Sequence, residues 1–316
     1  MSKIIVIGHE NPDTDNIAAA VGMAQFLNTT GKEAKAYKKG NINKETEWAL
    51  NFSGFQDKIE EISKTEVMKE QEVFLVDFNE EGQSPIDPSE IKLIGLIDHH
   101  KLGGSWKTSE PILYRIEPVG SSCTLVCKMF QENKLEFSED LCKILLCGII
   151  SDTLKLTSPT TTDEDRIWVN ILAKQTGEDI NRLAENLFAA KSDLSEFTPE
   201  EIAKLDYKNF EFSGKKIGIG VIETVKPENA KKLEKELKEV MKKIKSEEKL
   251  DYIYLGIVDI IKNETEMLLI SEEAKNLIMQ SFSDIMIRED NLVLKGIVSR
   301  KKQIVPTIER ALKIDA

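Results

Sequence analysis

The sequence predicts an α/β protein of two domains, and three observations point there. Short apolar runs alternate with amphipathic stretches over residues 1–189, several of those runs end in a carboxylate or histidine, and the composition changes abruptly after residue 189. Alternation of this kind is the pattern of a mainly parallel sheet flanked by helices. Residues 3–7 (KIIVI) read as a first buried strand and residues 16–27, rich in alanine, as a helix. Residues 73–77 (VFLVD) and 93–98 (LIGLID) suit central strands buried on both faces. Residues 125–131, 141–150 and 167–174 read as helices. The polar, turn-forming stretch 190–197 predicts a linker. A smaller α/β domain is expected over 198–316, with strands at 215–222, 252–260 and 267–270 and one charged amphipathic helix at 227–245.

Composition narrows the function. Of 316 residues, 41% are hydrophobic, which suffices for two cores. The formal net charge of −12 argues against a nucleic-acid partner, whose phosphates call for a basic surface. A small anion remains compatible, because bound dications and a few convergent Lys or Arg invert the local field. No apolar run reaches the roughly 18 residues of a membrane span, and the apolar start is too short for a secretory signal. Cys123, Cys127, Cys142 and Cys147 form no CxxC pair, so they read as buried thiols in a reducing cytoplasm.

The chain holds three histidines, His9, His99 and His100, and each follows a predicted strand. In an open α/β sheet that edge is where ligands bind. The segment Gly8-His9-Glu10-Asn11-Pro12-Asp13-Thr14-Asp15-Asn16 offers one imidazole and two carboxylates, a mixture that suits Mn²⁺ or another borderline transition metal. The lesser reading of Asp13 and Asp15 is as helix-start acids only. Asp77 and the run Asp98-His99-His100 project from the same edge, and Asp152 ends an apolar helix, where a carboxylate opposes the helix dipole unless a cation offsets it. His9, Asp13, Asp15, Asp77, His99 and Asp152 make six candidate ligands, too many for one catalytic metal and suited to two that share a carboxylate. Such a pair activates water and clamps a phosphoryl group, so hydrolytic phosphorus chemistry is expected.

In order along the chain, GHENPDTDN, VDFNE, DHH, RIEPVGSSCT, SDT, SPTTT and SRKKQIVP resemble the motifs of family II, manganese-dependent inorganic pyrophosphatases of the DHH phosphoesterase superfamily. DHH alone marks the wider superfamily, whereas SRKK discriminates. The glycine-rich GGGH-type motif usual in nuclease-like relatives is missing from the sequence. The resemblance implies an N-terminal DHH domain, a smaller C-terminal domain and an active site in the cleft between them. It implies that His9 and Asp13 bind one metal, that Asp15, His99 and Asp152 bind the other, and that Asp77 bridges. Asp98 would orient a ligand histidine, His100 would contact substrate, and Lys208, Arg300 and Lys301 would grip phosphate. Two Mn²⁺ (or Co²⁺) per chain, Mg²⁺ carried by pyrophosphate, and a homodimer through the N-terminal domain are implied as well. The alternative is an exopolyphosphatase or an oligonucleotide or cyclic-dinucleotide phosphodiesterase of the same superfamily. Phe78 stands where the family commonly has histidine, and Asn16 where it often has serine, which bears on metal affinity. The chain has no room for the nucleotide-sensing insert of some relatives.

Overall fold

In the computed structural model, which describes residues 3–62, 67, 70–103 and 106–314, each apolar run of the first half read as a strand becomes one. Two compact units divide the chain, Met1–Leu187 and Phe188–Ala316. The first opens with β1 (Ile4–Ile7), all four residues buried, then α1 (Thr14–Thr29), β2 (Ala34–Lys38), α2 (Lys44–Ser53) and the short β3 (Glu60–Glu61). There follow β4 (Gln71–Val76), a single 3-10 turn at Glu81–Gln83, β5 (Ile91–Asp98) and β6 (Leu113–Ile116). Helices α3 (Ser122–Glu132), α4 (Glu139–Asp152) and α5 (Asp163–Thr176) follow, and α6 (Ile180–Lys191) runs across the division between the two units.

Among the described residues the sheet order is β3-β2-β1-β4-β5-β6, with every pairing parallel. The chain leaves β1 towards β2 and β3, then returns across β1 to β4. That reversal opens a crevice at the carboxyl ends of β1 and β4, where an open α/β sheet takes its ligands. Parallel pairing therefore brings the residues after β1, β4 and β5 to one edge. Helix α1 packs against α3 and α4. Its stretch of Ala18, Ala19, Ala20 and Gly22 permits a close approach, and a Cβ at Gly148 of α4 would sit 2.5 Å from Cys123 Sγ and 3.0 Å from Ala18 Cβ. After α4 the backbone makes a left-handed turn at three successive non-glycine residues, Leu154, Lys155 and Leu156, with φ of 48°, 54° and 64°. All four cysteines are buried with free thiols.

The second unit holds α7 (Pro199–Lys204), β7 (Tyr207–Phe212), β8 (Lys215–Thr224), α8 (Pro227–Lys231), α9 (Glu234–Glu247), β9 (Tyr252–Asp259) and β10 (Glu264–Leu268). It ends with α10 (Glu272–Ser281), β11 (Ile285–Arg288), β12 (Asn291–Lys295), a π-helical turn at Arg300–Ile304, and α11 (Val305–Ile314). Its described strands run in the order β11-β12-β10-β9-β8-β7, with β8 and β9 parallel and the rest antiparallel. Ile202, Ile222, Leu237, Ile253 and Leu268 are part of its apolar core. The single helix expected over 227–245 is two helices. The Leu233 N–H bonds the Ala230 carbonyl three residues back, and this tighter turn ends α8 before α9 begins. Residues 267–270 were expected as a strand, but β10 starts earlier, at Glu264, because its antiparallel ladders with β9 and β12 begin there.

Candidate metal centre

Each donor reaches the sheet edge by a local device. Gly8 turns the chain off β1 with the Asn16 side chain directly beneath it, so close that a Cβ on Gly8 would lie 2.1 Å from the Asn16 amide. Asp13 caps α1, accepting from Asn16 N at 2.9 Å, so the role of a helix-start acid is real for this residue. Asp77 leaves β4 with a left-handed φ of 64°, its N–H still bonded to the Ile97 carbonyl at 2.9 Å. Asp and Asn tolerate that conformation better than most residues. His99 and His100 follow β5 directly, and Asp152 is the last residue of α4.

The two oxygens of Asp77 face different histidines: Oδ2 lies 3.6 Å from His9 Nε2, and Oδ1 lies 3.4 Å from His99 Nε2. His99 Nε2 is also 3.2 Å from Asp152 Oδ2 and 3.9 Å from Asp15 Oδ2. Among the described residues, His9 with Asp13 and Asp77, Asp15 with His99 and Asp152, and Asp77 with His99 and His100 each converge, their donor atoms within 4.8 Å of one another. All six ligands expected from the sequence therefore come together in two groups, with Asp77 reaching from one to the other.

The electrostatics fit cations. Burial, and then the charges of Asp77 and Asp13, push the Asp15 carboxyl well above its ordinary range. Burial works in the same direction on Asp77, yet bonds from His9 and His99 hold it well below. Carboxylates this close and this buried cannot all ionise without positive partners. Imidazole and carboxylate donors together suit Mn²⁺ or Co²⁺, so the residues present fit a pair of such ions.

Neighbouring residues fix the donors. The N-terminus of α3 clasps Asp15, with Ser121 Oγ donating at 2.6 Å, Ser122 N at 2.7 Å and Cys123 N at 3.1 Å. Ser122 Oγ donates to Asp77 Oδ1 at 2.9 Å. The resemblance has Asp98 orienting a ligand histidine. The His99 ring instead meets the Val119 carbonyl, at 3.1 Å from Nδ1, while Asp98 Oδ1 lies 2.7 Å from Nδ1 of His100. Asp98 also accepts from the His99 N–H at 2.7 Å and from Asn79 Nδ2 at 2.5 Å. Burial opposes the ionisation of Asp98, but the bond and charge of His100 hold its pKa below the ordinary value. Phe78 lies in the apolar cluster with Ile7, Leu75 and Leu96. Roles for Ser121, Ser122, Val119 and Asn79 escape sequence reasoning. The serines sit within RIEPVGSSCT, which marks the segment without saying which atom each residue meets.

In the second unit, Lys208 is on β7 opposite Ile219 of β8. Arg300 and Lys301 open the π-helical turn, whose preceding N–H groups of Val298 and Ser299 both bond Gln303 Oε1 at 2.9 Å. The Arg300 guanidinium donates to Asp206 Oδ1 at 2.5 Å and to the Asp206 carbonyl at 2.7 Å. The charges of Arg300, then Lys208, then Lys191 hold the Asp206 carboxyl below its ordinary range. Asp206 thus holds Arg300 directly and feels the charges of Lys208 and of Lys191, the last of which the sequence did not single out.

Two sequence patterns match this chain: the DHH family N-terminal domain over residues 3–149 and the DHHA2 domain over residues 185–311. A manganese-dependent inorganic pyrophosphatase of Bacillus subtilis (strain 168) is 37% identical over 312 residues, covering 99% of both chains. The chain belongs to the family of manganese-dependent inorganic pyrophosphatases. A family member from Methanocaldococcus jannaschii is 38% identical over 315 residues, covering 97% of this chain and 98% of its own. A crystal structure of a family II inorganic pyrophosphatase from Methanococcus jannaschii superposes with a TM-score of 0.84 at 37% identity, covering 98% of this chain and 99% of that one. An exopolyphosphatase-related protein from Bacteroides fragilis shares the fold at 15% identity, with a TM-score of 0.51, and covers 99% of this chain and 92% of its own.

Proposed function

We propose that the chain hydrolyses inorganic pyrophosphate to two phosphates at a centre of two Mn²⁺ or Co²⁺ ions. The observation that carries the reading is Asp77, whose two oxygens address two separate donor groups. His9 and Asp13 would hold one ion, Asp15, His99 and Asp152 would hold the other, and Asp77 would serve both. A pair of dications bound by these residues would supply a water of lowered pKa and polarisation of the phosphoryl oxygens. Water attacks one phosphorus as the bond from that phosphorus to the bridging oxygen breaks. Asp98 fixes His100 through Nδ1, which leaves Nε2 to give a proton to the departing oxygen. Lys208, Arg300, Lys301 and a Mg²⁺ carried by the substrate neutralise charge gathering on the leaving phosphate. This division of labour follows a boundary at residues 190–197, with metal donors before it and phosphate-gripping cations after it.

Two copies of the chain form a homodimer through the first unit. The edge strand β6, where Leu113 and Tyr114 are 45% and 43% exposed, supports this. Four buried free thiols are in keeping with a cytoplasmic setting, and among the described residues no helix is long and apolar enough to cross a membrane.

A phosphate-release assay tests the activity. Metal-stripped protein should turn over pyrophosphate faster with Mn²⁺ or Co²⁺ than with Mg²⁺ alone, and should prefer pyrophosphate to tripolyphosphate or a dinucleotide. Equal rates with Mg²⁺ alone would overturn the metal assignment, and preference for either other substrate would overturn the reaction.

A further inference from the structure

Helix α2 carries a carboxylate that the chemistry above does not use. Its opening residues, Lys44-Glu45-Thr46-Glu47, read as a solvent-facing stretch, yet Glu45 is fully buried. Glu45 Oε2 accepts from Thr14 Oγ1 at 3.1 Å and from Ser151 Oγ at 2.8 Å. Thr14 is itself buried and stands between Asp13 and Asp15, while Ser151 directly precedes Asp152. A single oxygen therefore fastens the start of α1 to the end of α4 at the residues adjoining three donors. Two of those donors, Asp15 and Asp152, belong to the same group with His99. Burying a carboxyl group is costly before its bonds are counted, and an apolar side chain would pack α2 against its neighbours at less cost. The polar side chain is explained by what it holds in register.

We infer that Glu45 is a positioning residue for the metal centre, setting the distance between Asp15 and Asp152 through the hydroxyls of Thr14 and Ser151. This rests on the two-metal reading above. Donor geometry must be held within about 0.5 Å to bind an ion well, and loss of an outer partner of a ligand typically costs 10–100-fold in metal affinity. The Asp15–His99–Asp152 group has two of its donors tied to Glu45, whereas the His9–Asp13–Asp77 group has only Asp13. The effect should accordingly fall on one ion of the pair.

The test is a Mn²⁺ titration of the full-length protein, with free Mn²⁺ read by electron paramagnetic resonance and binding heats by calorimetry. The unaltered protein should bind two Mn²⁺ per chain; if it binds no such pair, the two-metal reading itself fails. In Glu45→Ala, one Mn²⁺ should weaken by roughly 10–100-fold while the other keeps its affinity. Glu45→Gln retains an acceptor oxygen for both hydroxyls and should restore binding. Ser151→Ala, which removes one of the two bonds, should weaken the same ion by less, and it carries the test if Glu45→Ala does not fold. The inference is overturned if the alanine variants keep both ions, if both ions weaken equally, or if glutamine is as harmful as alanine.

Discussion

At Asp77 a buried carboxylate turns each oxygen towards a different histidine on a left-handed backbone. Asp77→Asn keeps the shape and tolerates the backbone, so it isolates the charge. The variant should hold fewer than two Mn²⁺ per chain and lose activity by about 10³-fold or more, since the two-metal step is gone. Inductively coupled plasma analysis and phosphate release check both outcomes. Retention of both ions with most of the activity would place the bridge elsewhere. The candidate donors His9, Asp77, His99 and Asp152 stood out in the sequence because each lies at or just after the end of an apolar strand or helix, whereas Asp13 and Asp15 lie at the start of α1. Glu45 was not, because in a run of alternating charges a glutamate looks solvated. Only the tertiary approach of α1 and α4 reveals its burial. Ser121 and Ser122 were quoted within a motif, but the atoms they meet lie far away in the chain, and spacing alone could not pair them.

Elements place these residues, and α4 passes close to α1 and the start of α3. Gly148 makes it possible: a Cβ there would lie 2.5 Å from Cys123 Sγ and 3.3 Å from Asp15 Oδ1. Gly148→Ala should raise intrinsic helix propensity yet destabilise, because overpacking a tight core costs about 1–3 kcal/mol. A lowered melting temperature, with weakened Mn²⁺ binding as Asp15 is displaced, is the expected pair of readouts; a rise in melting temperature would show that the neighbours give way. The strands β1, β4 and β5 were legible as short apolar runs, and parallel order followed from their alternation with helices. The break between α8 and α9 was not, since no glycine or proline marks it and one tightened turn at Leu233 suffices.

For the whole molecule, the candidate metal donors lie in the first unit, and Lys208, Arg300 and Lys301, proposed to grip phosphate, lie in the second. Metal binding and phosphate gripping should therefore separate under mutation. Arg300→Ala and Lys301→Ala should each leave two Mn²⁺ per chain and cost about 2–4 kcal/mol of transition-state stabilisation, by analogy with loss of one preorganised donor. Calorimetry with Mn²⁺ and kcat/KM for pyrophosphate measure the two effects, and loss of metal in either variant would contradict the separation. Arg300 is itself held by Asp206, so Asp206→Asn should reproduce part of the Arg300→Ala loss. The two-domain plan was legible from the polar stretch at 190–197 and the change of pattern beyond it. The way Asp206 holds Arg300 and feels the charge of Lys208 was not, because these partners sit on β7 and on a turn some ninety residues later.

The three left-handed residues after α4 reverse a familiar rule of mutagenesis. Elsewhere in a folded chain, exchanging a residue for glycine costs stability, because the unfolded chain gains freedom. At Leu154, Lys155 and Leu156 the folded backbone occupies the hand that side chains disfavour by about 1–2 kcal/mol per residue. Lys155 is the half-buried middle of the three. Lys155→Gly releases that strain and loses about 0.5–1 kcal/mol to entropy, leaving a net gain. A glycine scan of residues 150–160 followed by calorimetry should therefore change sign at this turn, with a melting temperature raised by roughly 1–4 °C at Lys155 and lowered on the α4 side. Mirror-image backbone is the one setting in which the least structured residue makes the firmer protein.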